Sequence, residues 1–365
     1  MKRRILALLL IGLATTSCAT GGSTPTHPPP PTPPEVRGSS SPDVGVPTAS
    51  ATPRANADAH VAADLAFVRP VGDSGTSQVF VVDADGDIRQ LTGLDSESAI
   101  GASVPVWSPD RRMVAFGPPK VGAGEHRFIS IVNADGSHQR SIASLGDEFG
   151  VPFSWSRDGT RLLYFDIDAA DGPAMWLAEV ASGEVSFLGA GQGPRWRPDG
   201  HSITFLRAVA SRDPEQAAAL TQTVVILDLD GGAFVKFATA SDALWSPDGS
   251  MVLLTNDDGE VVLANADGSD PRLLVRGWGP VWSPDGGKIV FVHDHNDDGV
   301  PLLAAVDREG QTLWSGVLGS SPSWSPDGTR LAAEILYPDN VVRVLDGATG
   351  EVLWETAGSQ PAWAS

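Results

Sequence analysis

Cysteine is nearly missing from this chain, and Cys18 is the only one. A single thiol supports neither an internal disulfide framework nor a cysteine-built zinc site. Basic residues are also scarce, with 25 Lys and Arg against 45 Asp and Glu and a formal net charge of −20. That balance excludes the basic face that nucleic acid requires. It keeps a protein soluble and draws cations and basic partners towards it, but says nothing about fold. The longest apolar run in the leader, Ile5 to Leu13, is too short to span a bilayer as a permanent helix. Catalytic signatures are missing as well: there is no G-x-S-x-G nucleophile elbow, no phosphate-binding glycine loop and no HExxH. The abundant residues are Gly (40), Pro (29) and Trp (11), which favour many turns and an all-β fold.

The N-terminus reads as processing signal rather than structure. Lys2-Arg3-Arg4 form a positive n-region before the apolar run, and the small residues Thr16-Ser17 precede Cys18. The only cysteine therefore stands where a bacterial lipobox needs its lipidated nucleophile, and the segment resembles one, with Thr15 in the place where that pattern prefers Leu. Residues 1–18 are read as a lipoprotein signal peptide with Cys18 as the lipid anchor; an ordinary cleaved secretory signal is the alternative. Removing Lys2, Arg3 and Arg4 takes the charge from −20 to −23. Residues 19–62 are rich in Pro, Ser, Thr and Ala, as in TPTHPPPPTPPEV, with almost no large apolar side chain. Such a segment mixes polyproline II with flexible coil and cannot bury enough surface to fold. It is expected to be a disordered tether lifting a domain, residues 63–365, off a membrane.

One motif recurs beyond residue 63. It reads WSPDR at Trp107, WSRDG at Trp155, WRPDG at Trp196 and WSPDG at Trp245, Trp282 and Trp324, and the chain ends in PAWAS with Trp363. The spacings of 48, 41, 49, 37, 42 and 39 residues match the period of a four-stranded propeller blade. Ser-Pro-Asp-Gly suits a type I turn closed by a glycine at positive φ. Short β-rich runs follow, such as IVFV at 289–292 and VVLA at 261–264, then a second Asp/Asn-Gly turn such as NADG at 265–268. The runs are short, β-branched and bounded by turn residues, so a helical reading fails. Residues 65–93 hold the last three strands of a blade with no WSPDG strand before them, and PAWAS holds a first strand with nothing after it. The fold class predicted is therefore all-β, a seven-bladed β-propeller closed by the C-terminal strand pairing into the first blade.

These repeats resemble those of the TolB-type, WD40-like propeller family, over roughly residues 64–365. TolB proteins carry a further N-terminal α/β domain, whose place the Pro-rich tether takes here. The resemblance thus extends to the propeller and not to a role in the Tol–Pal system, since fold does not imply function. Arg111, Arg157 and Arg197 replace the turn Gly, Pro and Ser, so those three turns are expected to differ.

The repeated Asp110, Asp158, Asp199, Asp248, Asp285 and Asp327 suggest a metal ring, but an Asp in such a turn more simply accepts local backbone N–H groups. The repeated Trp residues are expected in the core, each indole N–H meeting a backbone acceptor. Function is better sought on the face where blades differ, in the loops at 118–126, 166–172, 207–222, 293–299 and 336–340. The candidates for a binding face are Asp166, Asp168, Asp171, Arg207, Arg212, His293, His295 and Tyr337, and Asp213-Pro214 can open a short helix. Asp294-x-Asn296-x-Asp298-Gly299 has the oxygen spacing of a calcium loop, although Ala305 stands where the bidentate Glu belongs. Asp166, Asp168 and Asp171 form a weaker case of the same kind. No other cofactor is expected, and a solvated polar hairpin is the competing reading of that loop.

Two function classes stay open. One is a monomeric, non-enzymatic cell-envelope lipoprotein, in the periplasm or on the outer surface, that binds a protein or glycan through its variable face. The other is an enzyme using the central pocket, such as a metal-dependent lyase or hydrolase acting on sugars.

Overall fold

The computed structural model describes residues 64–72, 75–83, 85–93, 103–117, 127–146, 150–166, 172–210, 220–295, 299–336 and 340–364. The signal peptide, Cys18 and the tether expected from the sequence lie outside the described residues, as does the helix expected at Asp213. Among the described residues the chain forms 28 strands in seven four-stranded antiparallel sheets, and no helix. Each sheet is one blade of a propeller. The inner strands are Ser359–Trp363, Ser103–Trp107, Gly150–Trp155, Gln192–Trp196, Asp242–Trp245, Trp278–Trp282 and Ser320–Trp324, for blades one to seven. The outermost strands, such as Val185–Ala190 and Phe234–Thr239, present rows of exposed residues.

Blade one confirms the predicted closure. Its inner strand comes from the C-terminus and pairs antiparallel with Leu65–Val71 in the register Leu65↔Trp363, Ala66↔Ala362 and Val68↔Ser359. Trp363 is buried against Leu65, Phe67 and Phe80 of its own blade and Ala332, Val342 and Val344 of blade seven. The other signature tryptophans repeat this placement, each filling the gap to the preceding blade, as Trp107 does against Val79, Val81 and Leu91 and Trp324 against Val290, Leu303 and Ala305. The expected indole hydrogen bonds are only partly present. Trp155 Nε1 donates to Val106 O (3.0 Å) and Trp282 Nε1 to Leu244 O (3.1 Å). The indole nitrogens of Trp107, Trp196, Trp245, Trp324 and Trp363 are buried without an acceptor. The tryptophans are held by apolar burial, which is non-directional and scales with area.

The inner strands carry a further repeat. A proline stands two residues before the tryptophan at Pro105, Pro194, Pro280, Pro322 and Pro361, and the residue before each has positive φ: Val104, Gly193, Gly279, Ser321 and Gln360. Proline disfavours the α conformations for the residue before it, and a β-branched Val in the left-handed region is unfavourable on its own account. At Val104, Ser321 and Gln360, where the strand register shifts, the conformation is held instead by hydrogen bonds at the closing seam. Glu334, buried in blade seven, accepts from Ser321 Oγ (2.6 Å) and from Gln360 N (2.7 Å); Gln360 Oε1 in turn accepts from Val104 N (2.6 Å). With Trp363 N donating to Ser323 Oγ (3.1 Å), the closing strand is tied to both neighbouring blades.

All six signature turns are alike, contrary to the difference expected at the three arginines. In each, the fourth-position N–H donates to the first-position carbonyl at 2.8–3.0 Å, including Arg111 N to Ser108 O, Gly159 N to Ser156 O and Gly200 N to Arg197 O. Arg111 takes the glycine's conformation with φ of 60°. Arg197 is accommodated by an exchange of roles. In blade three, Ser156 Oγ donates to Asp158 (2.6 Å), while Arg161 lies over Trp196 of the next blade (4.7 Å). In blade four, Arg197 lies over Trp245 (4.1 Å) and Ser202, at the position of Arg161, supplies the hydroxyl to Asp199 (2.7 Å).

Candidate functional site

The two faces of the ring offer different chemistry. On the face of the signature turns, the aspartates are engaged locally, as the sequence implied. Asp248 Oδ1 accepts from Ser246 Oγ, Ser250 N and Ser250 Oγ at 2.6–3.0 Å, and Asp158 does the same with Ser156 and Thr160. The serine hydroxyl, ahead of the backbone N–H, pushes both carboxyls down to about 2. They are caps that stay ionised near neutrality and are unsuited to proton transfer there. A cleft of about 380 Å³ between blades three, four and five is lined by Arg157, Arg197, Asp199 and Asp248 with Pro198, Pro247 and Gly249. Its half-buried cation, Arg197, already faces Trp245 and pairs with Asp199 (3.3 Å).

The opposite face carries the blade-specific features. In blade four the second and third strands run long, Ser202–Ala210 and Leu220–Asp228. The segment read as a loop from residue 207 is thus partly strand, and Arg207 sits in it opposite Thr223. Its guanidinium lies 5.9 Å from the Phe205 ring and 5.7 Å from that of Phe234. In blade six His293, Asp294 and His295 likewise end a strand, Lys288–His295, whose register slips between Val292 and Asp294. His293 is the bulged residue, and its Nε2 is buried with no hydrogen-bond partner. Asp294 Oδ1 accepts from the His295 N–H (2.8 Å), and both residues are exposed. Asp166 differs from expectation: it ends the strand Arg161–Asp166 with only 3% exposure, so it belongs to the interior rather than to a binding surface. Burial, and after it the Asp166 charge, raises the Tyr164 phenol above its ordinary range.

The structure therefore brings His293, Asp294 and His295 together and leaves Asp166 and Arg207 on blades three and four. Asp168, Asp171, Arg212, Asn296, Asp298 and Tyr337 lie outside the described residues, so the proposed calcium loop is represented by Asp294 alone. Among the described residues no three His, Cys, Asp or Glu side chains converge to hold a metal ion, and no helix is long and apolar enough to cross a membrane.

Three residues escaped the sequence reading. Glu334 and Gln360 form the closing network, and Trp278 begins the inner strand of blade six with 40% of its surface exposed. The signal for Trp278 was present. Two residues before the proline position, the other blades hold Ser103, Gly150, Gln192, Ser241, Ser320 and Ser359. Aligning the repeats on that proline, rather than on WSPDG alone, would have singled the tryptophan out.

Comparison with known proteins agrees with this geometry. The family model described as TolB beta propeller domain matches residues 120–364. Among solved structures, TolB from Acinetobacter baumannii is similar with a TM-score of 0.51 and 16% identity, each chain covered over 82%. Oligogalacturonate lyase from Vibrio parahaemolyticus has a TM-score of 0.56 at 14% identity, covering 80% of this chain and 86% of that one. A prolyl endopeptidase gives 0.59 at 12% identity, covering 80% of this chain but 49% of the peptidase. At such identities the likeness carries the fold alone. With seven closed blades, the signature turns in six of them and a family match over two thirds of its length, the chain belongs to the TolB β-propeller family.

Proposed function

We propose that this protein is an extracytoplasmic, lipid-anchored binding module that holds a protein or glycan partner on the face opposite its signature turns and performs no chemistry of its own. The observation that carries this reading is the contrast between the faces. One repeats the same satisfied turn six times, whereas the other carries exposed residues peculiar to single blades: Arg207 over Phe205 and Phe234, the His293–His295 hairpin end, and Trp278. Variable positions on a rigid scaffold are the usual place of recognition. The closed ring supports this use by fixing those positions relative to one another, which reduces the ordering cost of binding. The lipobox-like Cys18 and the Pro-rich segment 19–62 support placement at a membrane with the domain held off it.

The test combines fractionation with co-purification. Cys18→Ala should move the protein from the membrane to the soluble fraction, and Arg207→Ala should lower partner recovery without changing the melting temperature. A Cys18→Ala protein that fractionates like wild type refutes the anchor. Turnover of an oligosaccharide or peptide by the purified protein refutes the non-enzymatic reading.

A further inference from the structure

We infer that the Trp278 corner of the ring, between blades five and six, is a docking point for a cationic side chain of a basic protein segment. This rests on the binding-module reading above and names the chemistry of the partner. The argument begins with the tryptophan. Four other blades place serine at this position, and three of those hydroxyls donate to the neighbouring strand: Ser103 to Gly117 O, Ser241 to Thr255 O and Ser320 to Glu334 O. Blade six replaces that small group with an indole that joins no core cluster and stays 40% exposed. An indole left 40% exposed forgoes part of the apolar burial it could contribute to the fold, and so keeps that area for a partner.

The surroundings seat it deliberately. The indole lies on Gly259, where a Cβ would stand 3.0 Å from the ring, and Gly277 N donates to Gly259 O (2.7 Å), fixing the chain just before Trp278 to that turn. The turn that carries the indole, Asn256–Gly259, bears Asp257 and Asp258, both exposed. On the other side, Trp278 pairs with Val292, and Asp294 stands two residues further along that strand, exposed at the same end of the sheet. Arg276 is nearby, but Glu260 already pairs with it. An exposed indole flanked by exposed carboxylates matches a guanidinium or ammonium, which gains from the ring face and from the acids together. The chain's net charge of −20 favours approach of such a partner. A neutral sugar would use the ring but not the charge.

The probe is a fluorescein-labelled peptide alternating Arg and Gly, titrated into the full-length protein at physiological salt and followed by anisotropy. Trp278→Ser installs the residue that four other blades hold and should weaken binding roughly fivefold. Asp257→Asn with Asp258→Asn should weaken it by a similar factor, more at low salt than at high. Asp135→Asn with Asp267→Asn removes the same charge from the signature-turn face and should change affinity less than about twofold. The inference is overturned if the turn-face pair weakens binding as much as the Asp257/Asp258 pair, or if Trp278→Ser leaves it unchanged. It is also overturned if chitotriose, a neutral sugar, binds wild type but not Trp278→Ser while the peptide ignores the substitution. Failure of the inference alone is recognisable, because crosslinks from the blade-specific face would then persist in Trp278→Ser at wild-type yield. Failure of the binding-module reading would abolish those crosslinks in the wild type itself.

Discussion

Deleting residues 361–365 should cripple the domain far beyond what five terminal residues ordinarily contribute. The deletion removes the Leu65↔Trp363 and Ala66↔Ala362 pairs, the contact from Trp363 N to Ser323 Oγ and that from Ala364 N to Asp64 O. It also withdraws Trp363, 4% exposed, from between blades one and seven. Truncating a buried tryptophan costs about 3–5 kcal/mol, and each lost hydrogen bond adds about 0.5–1.5. The sum is a large part of a total stability of roughly 5–15 kcal/mol. At about 2–4 °C per kcal/mol for a domain of this size, the melting temperature should fall by roughly 10–20 °C. Circular dichroism melts of the deletion, beside a deletion of 29–33 in the Pro-rich segment, measure the difference. A peptide spanning 355–365 added in excess should recover part of the loss, because it can refill the strand position. Equal melting of the two deletions would refute the reasoning and leave 361–365 as a mere tail.

Other consequences follow from the turns and the hairpin end. Because the folded carboxyls of Asp158 and Asp248 titrate at about 2 rather than at 3.8, their contribution is complete above about pH 4 and lost as pH falls towards 2. Replacing both with Asn should flatten that acid limb in urea midpoints measured between pH 2 and 5. Arg197→Ser removes the cation over Trp245 and should cost about 1 kcal/mol; adding Ser202→Arg should return at least half of it, restoring the arrangement of blade three, as urea titration can read. If Asp294, Asn296 and Asp298 hold calcium, millimolar calcium should raise the melting temperature and Asp298→Ala should abolish the rise; a flat response leaves the polar hairpin.

The fold was legible because the repeat writes its own physics. Trp-Ser-Pro-Asp-Gly names a buried anchor, a turn and its cap in five letters, and the unmatched strands at the two ends of 64–365 fix both the blade count and the closure. The expected change did not occur at Arg111, which itself takes the glycine's conformation, or at Arg197, where Ser202, a residue the motif does not include, supplies the missing hydroxyl. Asp166 was misplaced for a related reason: an acidic run looks exposed in a sequence, whereas this residue ends a strand whose last position turns inward. Glu334 and Gln360 could not be found by pattern at all. Their partners lie 26 and 256 residues away, across the closing seam, and only the ring brings them together.

Site-specific photo-crosslinking in native membranes tests the central claim, that the blade-specific face holds the partner, most directly. A photo-reactive residue placed at Arg207 or His295 should give discrete adducts, and one placed at Asp135 or Asp267 on the signature-turn face should give none. Adducts from the signature-turn face alone, or from neither face, would contradict the account.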